Sequence, residues 1–348
     1  MFVYWLLFGY FAVGTMSGSR PFADPRLRPA MLLGALLLIV LIGLRFEVGA
    51  DWLAYERLFS YASLASFSET IERGDPAYQA VNWSVAAVGA DFWLVNVVCA
   101  AIFVWGLVRL ANVQPSPFLA IAVAVPYLVI VVSMGYTRQA AAIGLVMAGL
   151  ATLDKGRSAF RFALYVTLAA LFHKTAVVVL PLVIFSGRHN KALNVIAGIA
   201  LTYWLYSLLL ADTMDQFAKN YLERGYNSQG AAIRVIMNLV PAVLFFLARK
   251  KLMFNLDQAV VWRSFSIAAF AMLIALLVSP SSTAIDRVAL YIIPLQVVVV
   301  SRAFLLLENP NQGKLVVVAY AALIQFTWLN FATHSQYWVP YHFYPFGR

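Results

Sequence analysis

The stretch FRFALYVTLAALFHKTAVVVLPLVIF, residues 160–185, admits two folds, and the choice between them sets the plan of the whole chain. As one long helix it buries His173 and Lys174 at its centre. As a hairpin it puts both at a turn and leaves two apolar arms of about 13 residues, roughly 20 Å each at 1.5 Å per residue. The flanks favour the hairpin. DKGR at 154–157 and GRHNK at 187–191 are both basic and read as the same side of a membrane. Arms this short fall short of about 30 Å of hydrocarbon, so the turn is expected below the membrane surface, in a water-filled dent of the protein.

Working outward, apolar blocks separated by short polar punctuation recur from end to end. The chain is 63% hydrophobic and 11% charged, with a mean hydropathy of +0.81, far from the roughly 25% charged residues of soluble domains. The expectation is an all-α, polytopic transmembrane helical bundle forming one integral membrane domain over 1–348. Helices are placed near 2–15, 30–45, 91–108, 118–134, 139–153, 160–172, 174–186, 192–210, 232–248, 259–279, 287–301 and 315–330, about 12 in all. MFVYWLLFGYFAVG carries no basic n-region and no small-residue cleavage site, so it reads as a retained first helix. AYQAVNWSVAAVGA at 77–90 is assigned to the outer interface as an amphipathic or re-entrant piece, because a full span there inverts every later loop. Trp52, Tyr55, Leu58 and Phe59 are spaced for a short amphipathic helix on the same surface, and the aromatic tail THSQYWVPYHFYPFGR reads as an interfacial belt.

The net charge of +10 is an orientation signal. With the N-terminus outside, the loops expected to face the cytoplasm, with Arg263, hold fifteen of the 25 basic residues but only four of the 15 acidic ones, as the positive-inside rule requires. The excess carries some affinity for anionic membrane lipid. No aromatic-interleaved basic patch points to nucleic acid. Cys99 stands alone, which excludes an internal disulfide or a thiolate cluster. The four histidines show no ligand spacing, so neither a protein-held metal nor another cofactor is expected.

Polar residues gather at the outer helix ends. Arg45, Glu47 and Asp51 follow the second helix. GYTRQ supplies Tyr136, Thr137, Arg138 and Gln139; FHKTA supplies His173, Lys174 and Thr175. GAAIRVIMN places Arg234 and Asn238 on one helical face. SPSSTAIDRVALY holds Ser281, Ser282, Asp286 and Arg287. Each has a structural alternative: snorkelling ends for Arg45 and Arg138, a cap and ion pair for Asp286 with Arg287, an interhelical tie for Arg234 with Asn238, a turn residue for His173, loop hinges for Gly49 and Gly135. Their convergence favours function, because ionisable groups near membrane depth are costly unless used. Several arginines meeting in an outer cavity suit a phosphate or pyrophosphate, whose oxygens match guanidinium forks.

LRFEVGADWLAY, DPAYQAVNW, GYTRQAAAIGL, LFHKTAVVVLPL and STAIDRVALYIIPLQ, in this order and spacing, resemble the EpsG family, and the resemblance spans nearly the whole chain. It implies a bacterial inner-membrane component of exopolysaccharide or capsule synthesis related to Wzy-type polymerases. It also implies a fold like that of the lipid-linked (GT-C-like) glycosyltransferases and a polyprenyl-diphosphate-linked oligosaccharide as substrate. Together with the residues this gives a metal-independent, inverting polymerase working on the periplasmic side. In it Arg45, Arg138, Arg234 and Arg287 neutralise the departing diphosphate. His173 is the first choice of general base, with Glu47 and Asp51 as alternatives. Trp52, Tyr55 and Tyr136 are candidates for stacking on sugar, with Gln139, Lys174, Asn238, Ser282 and Asp286 in support. Chain-length regulators or export proteins are the expected protein partners. The rival readings are a flippase or transporter of the lipid-linked glycan, a membrane acyltransferase, and a non-catalytic partner of a synthase. Concentration of the polar groups on one side favours chemistry over transport.

Overall fold

Apolar residues without a two-residue rhythm fold here as helices. The computed structural model describes residues 1–16, 28–153, 159–184, 230–279 and 282–346, with single positions at 196, 200 and 203. Among them the helices are α1 (Phe2–Met16), α2 (Arg28–Gly43), α3 (Trp52–Ala62), α4 (Phe67–Glu72), α5 (Pro76–Ala87), α6 (Phe92–Asn112), α7 (Pro117–Ala124), α8 (Thr137–Leu153), α9 (Ala159–Phe172), α10 (Leu180–Ile184), α11 (Ala231–Ala248), α12 (Leu256–Val278), α13 (Ser282–Ala289), α14 (Pro294–Val300) and α15 (Pro310–Phe331). The described residues contain no strand, only an isolated bridge between Arg45 and Phe343. Four helices, α6, α11, α12 and α15, are long and apolar enough to cross a membrane. Six shorter apolar segments stand beside them, and this is a helical membrane protein. The expected helix at 192–210 lies outside the described residues apart from the three single positions.

The hairpin reading of 160–185 holds over the described part. The helix breaks at His173, whose backbone is extended (φ −157°, ψ 111°), and resumes as a 3₁₀ turn over Lys174–Val179. α10 then packs back along α9. Two other expected spans are less regular than their composition suggested. The segment at 118–134 continues from α7 as a π-helix over Val125–Ser133, widened at Pro126, which has no N–H to give an α-helical ladder. The segment at 287–301 starts earlier, at Ser282, and bends by 41° before α14. Pro294 is the cause, since its ring collides with the carbonyl four residues back.

The π-helix is buried throughout, as is α8 except for Arg138 and Leu153. Helices apolar all round belong at the centre of a bundle, and this pair forms its axis. α6 crosses α8 where two glycines meet. A Cβ on Gly106 would lie 1.8 Å from the carbonyl oxygen of Gly144, so the backbones touch, as membrane helices do at small residues. The outer helices instead turn Ile274, Leu277, Val278, Leu315, Val316 and Leu323 outward, into what the bilayer would fill.

Loops sort to two ends. At one, buried Arg302 ties together three loops expected on the cytoplasmic face: it donates to Gln114 Oε1 (3.0 Å), to the Leu252 and Met253 carbonyls (3.2 and 2.9 Å) and to Gln258 Oε1 (3.4 Å). At the other stand α3–α5, the 44–51 loop and the His173 turn. There the tail is a clasp rather than a loose belt. Phe46 N–H donates to His342 O (2.9 Å), Gly49 N–H to Tyr337 O (2.8 Å) and Tyr344 N–H to Leu44 O (2.8 Å). Trp338 is buried and donates to Ile130 O (2.8 Å), while its own carbonyl accepts from the Tyr4 hydroxyl (2.7 Å). The physical reason is plain: the irregular 44–49 backbone needs partners, and the tail supplies them.

Candidate functional site

Gly135 to Gln139 turn the chain from the π-helix into α8, and the 44–51 loop is pressed onto that turn. Gly49 makes the approach possible. Its φ is +107°, and a Cβ there would lie 2.3 Å from the Met134 carbonyl oxygen, so a side chain is refused on both counts. This seats Asp51 beside Arg138. Burial pushes the Asp51 carboxyl above its usual range, against the pull of Arg287, Arg138 and Arg234, all within electrostatic reach. Four chain segments that the sequence separates widely thus face one another.

The arginines then divide into two kinds. Arg234 is 7% exposed and fully engaged. It donates from Nε to the Tyr127 hydroxyl (2.6 Å), from Nη2 to the Tyr136 hydroxyl (2.7 Å) and from Nη1 to Asp286 in a buried ion pair. Arg287 is half-buried over the ring of Tyr136, 4.9 Å from its centroid, and its guanidinium makes no hydrogen bond or ion pair among the described residues. Arg138 keeps 33% of its side chain exposed, lies over Tyr55 and Tyr78, and has an unpaired Nε. Tyr136 is therefore a platform shared by Arg234 and Arg287.

Arg45, expected among the phosphate ligands, is placed elsewhere. It is 1% exposed and donates to the carbonyls of Ile42 (2.5 Å) and Val48 (3.2 Å), to Asn96 Oδ1 (3.2 Å) and to Thr137 Oγ1 (2.7 Å). It ties the end of α2 to α6 and α8. The C-terminal carbonyls of a helix attract such a cation, and no face of it remains for a ligand. Trp52 and Tyr55 are also buried, 7% and 4% exposed. Trp52 stacks edge-on against Phe46 and Phe92, so it presents no face to a sugar. Asn238 joins helices: it donates to Ala289 O (2.8 Å) and accepts from Gln296 (3.1 Å). Gln139 donates to the Arg287 carbonyl (2.7 Å), fixing α13 against α8. Ser282 opens α13, and Ser281 lies outside the described residues. Glu47 is exposed, in the left-handed region at φ 52°.

The sequence assigned no role to Asp75, although DPAYQAVNW stood among the family motifs; DP before a helix reads as a cap. It does precede α5, but its side chain does not bond that helix. Instead Oδ2 accepts from Arg138 Nη1 (2.8 Å), Oδ1 accepts from the Lys174 backbone N–H (3.1 Å), and His173 Nδ1 stands 3.7 Å from Oδ2. Burial would raise this carboxyl, but His173, Arg138 and the Lys174 N–H outweigh it and hold it below the carboxylate range. His173 sits at the turn, parallel-tilted to Tyr291 with centroids 6.5 Å apart. Burial pushes its pKa down, and Asp75 offsets part of that. A neutral imidazole backed by a carboxylate and faced by two guanidinium groups is suited to taking a proton beside an anion. Among the described residues no three His, Cys, Asp or Glu side chains stand together as a metal would need.

A model of the EpsG family matches residues 30–343. No curated protein and no solved structure matches the chain.

Proposed function

The chain belongs to the EpsG family, which makes it a membrane protein of polysaccharide biosynthesis, and we propose that it is the polymerase itself. Its donor is an undecaprenyl-diphosphate-linked oligosaccharide repeat, and its acceptor is a hydroxyl on a second lipid-linked glycan, on the periplasmic side of the bacterial inner membrane. The observation that carries this reading is the convergence of Arg138, Arg287, Asp51 and His173 at one end of the bundle. Arg138 and Arg287 would grip the diphosphate as its charge develops. Arg234, held by Asp286 and Tyr136, would shape the pocket and add to its field. His173 would take the proton of the attacking hydroxyl, with inversion at the anomeric carbon. Asp51 and exposed Glu47 would bind sugar hydroxyls. Guanidinium groups here would do what a divalent cation does elsewhere, so chelation should not slow the reaction.

Replacing Arg138 or Arg287 with Ala in cells is the deciding experiment. Polymer should be lost, and single lipid-linked repeats should collect on the outer leaflet. Accumulation on the inner leaflet would instead identify a flippase. Purified protein with a defined lipid-linked repeat should yield a product ladder with chelator present.

A further inference from the structure

One oxygen of Asp75 has two claimants. Arg138 Nη1 lies 2.8 Å from Oδ2, a charge-assisted hydrogen bond, and His173 Nδ1 lies 3.7 Å from the same atom, outside hydrogen-bond range. The carboxylate cannot turn to serve each separately, because Oδ1 already accepts from the Lys174 backbone. Neither ring nitrogen of His173 has a hydrogen-bond partner among the described residues. Arg138 is the more exposed of the two, 33% against 17%, which gives it room to turn toward a ligand, and its buried Nε has no partner to hold it back.

We propose that Asp75 is a positioning residue that couples donor binding to activation of the base: a diphosphate draws Arg138 off Oδ2, and His173 takes its place, held with Nδ1–H on the carboxylate and Nε2 toward the acceptor hydroxyl. This rests on the reading that the pocket takes a diphosphate-linked donor. In the resting arrangement the ring faces Arg138 of α8, Arg287 of α13 and Asp75 at the head of α5, with Lys174 beside it and the Tyr291 ring above. Burial and two neighbouring cations disfavour the imidazolium. A seated diphosphate neutralises both cations and releases the carboxylate to Nδ1, so the imidazole becomes a stronger base only when a donor is present. In the transfer step the acceptor oxygen bonds the anomeric carbon as the bond from that carbon to the diphosphate breaks. The electron pair leaves with the diphosphate, the hydroxyl proton passes to Nε2, and the imidazolium formed rests against Asp75 until the proton is lost to water.

The test does not depend on turnover. Full-length protein in nanodiscs is treated with diethyl pyrocarbonate, which modifies neutral imidazole, across a pH series with and without undecaprenyl diphosphate, and each histidine is followed by mass spectrometry. In the wild type the midpoint for His173 should rise by about one pH unit or more on adding the diphosphate, with His334 and His342 unmoved. Asp75→Asn should cut that rise to the smaller part that neutralising Arg138 and Arg287 alone supplies. Arg138→Gln, which vacates Oδ2 permanently, should show a raised midpoint with no diphosphate present, and Asp75→Asn in that background should cancel it. A wild-type midpoint indifferent to diphosphate, or an Asp75→Asn variant that shifts like the wild type, overturns the coupling. Failure of the wild type to form any polymer from a defined lipid-linked repeat would instead remove the functional reading, whatever the midpoints do.

Discussion

His173 and Arg287 carry the reaction in this reading, and their neighbours make opposite predictions for substitutions that look alike. His173→Gln should leave expression intact and slow transfer by about 10²-fold or more, the usual scale for a lost general base. In the wild type kcat/KM, which reports the donor-free enzyme, should fall on the acid side as the imidazole protonates. Burial sets that limb below the ordinary histidine range. Asp75→Asn removes an influence that raises the histidine, so its limb should move to still lower pH, read from rate profiles of the purified enzyme. Arg287→Ala should lose polymer and keep the fold. Arg234→Ala should lose the fold, because stripping one partner from a buried ion pair leaves an uncompensated charge and costs about 3–5 kcal/mol; detergent-solution half-life measures it. Nothing local in AAIRVIMN or STAIDRVA tells these two arginines apart. The difference lies in Tyr127 and Asp286, whose approach to Arg234 is a fact of tertiary structure. Asp75 was hidden for the same reason: its partners come from α8 and from the turn after α9.

At the scale of elements, hydrophobic patterning was a sound guide to where helices lie and a poor one to how they are interrupted. The blocks that became α1, α2, α6, α8, α9 and α15 could be read directly, because burial in lipid or protein demands runs of apolar residues. Pro126 and Pro294 were also visible, yet one widened a helix and the other broke it. Which outcome follows depends on whether neighbouring helices can accept the bend. Glycine spacing is similarly mute until its partner is known. Gly144 is one of many small residues in α8, and only the crossing with Gly106 makes it indispensable. Gly144→Val should prise α6 from α8, with loss of a monodisperse peak in size-exclusion chromatography. Gly49→Ala should be milder in assembly and severe in function, cutting transfer at least about tenfold by moving Asp51 off the α8 turn, at a backbone cost of about 1–3 kcal/mol.

For the whole molecule, sidedness rests on the charge balance of the loops, and among the described residues the loops gather at two ends. Gln114, Leu252, Met253 and Arg302 meet at one end, while the 44–51 loop, Asp75, Arg138 and His173 meet at the other. Sidedness itself can be checked by thiol labelling, since the native Cys99 is buried and gives little background. Ser63→Cys, exposed at the arginine end, should react with an impermeant maleimide from outside the cell membrane. Lys251→Cys, exposed at the other, should react only after the membrane is opened. The reverse pattern would turn the proposed site toward the cytosol.

The bond between the Tyr4 hydroxyl and the Trp338 carbonyl has a consequence for biogenesis. Two points that touch lie at one depth, so Tyr4 near the start of α1 and Trp338 after α15 are expected at the same side of the bilayer, with an even number of crossings between them. Any insertion pathway that skips or adds a single crossing leaves the clasp open and the 44–49 loop without its partner. Reporter enzymes inserted beside Tyr4 and beside Trp338 should therefore light up together in one compartment, and a variant in which they part company will have no assembled pocket.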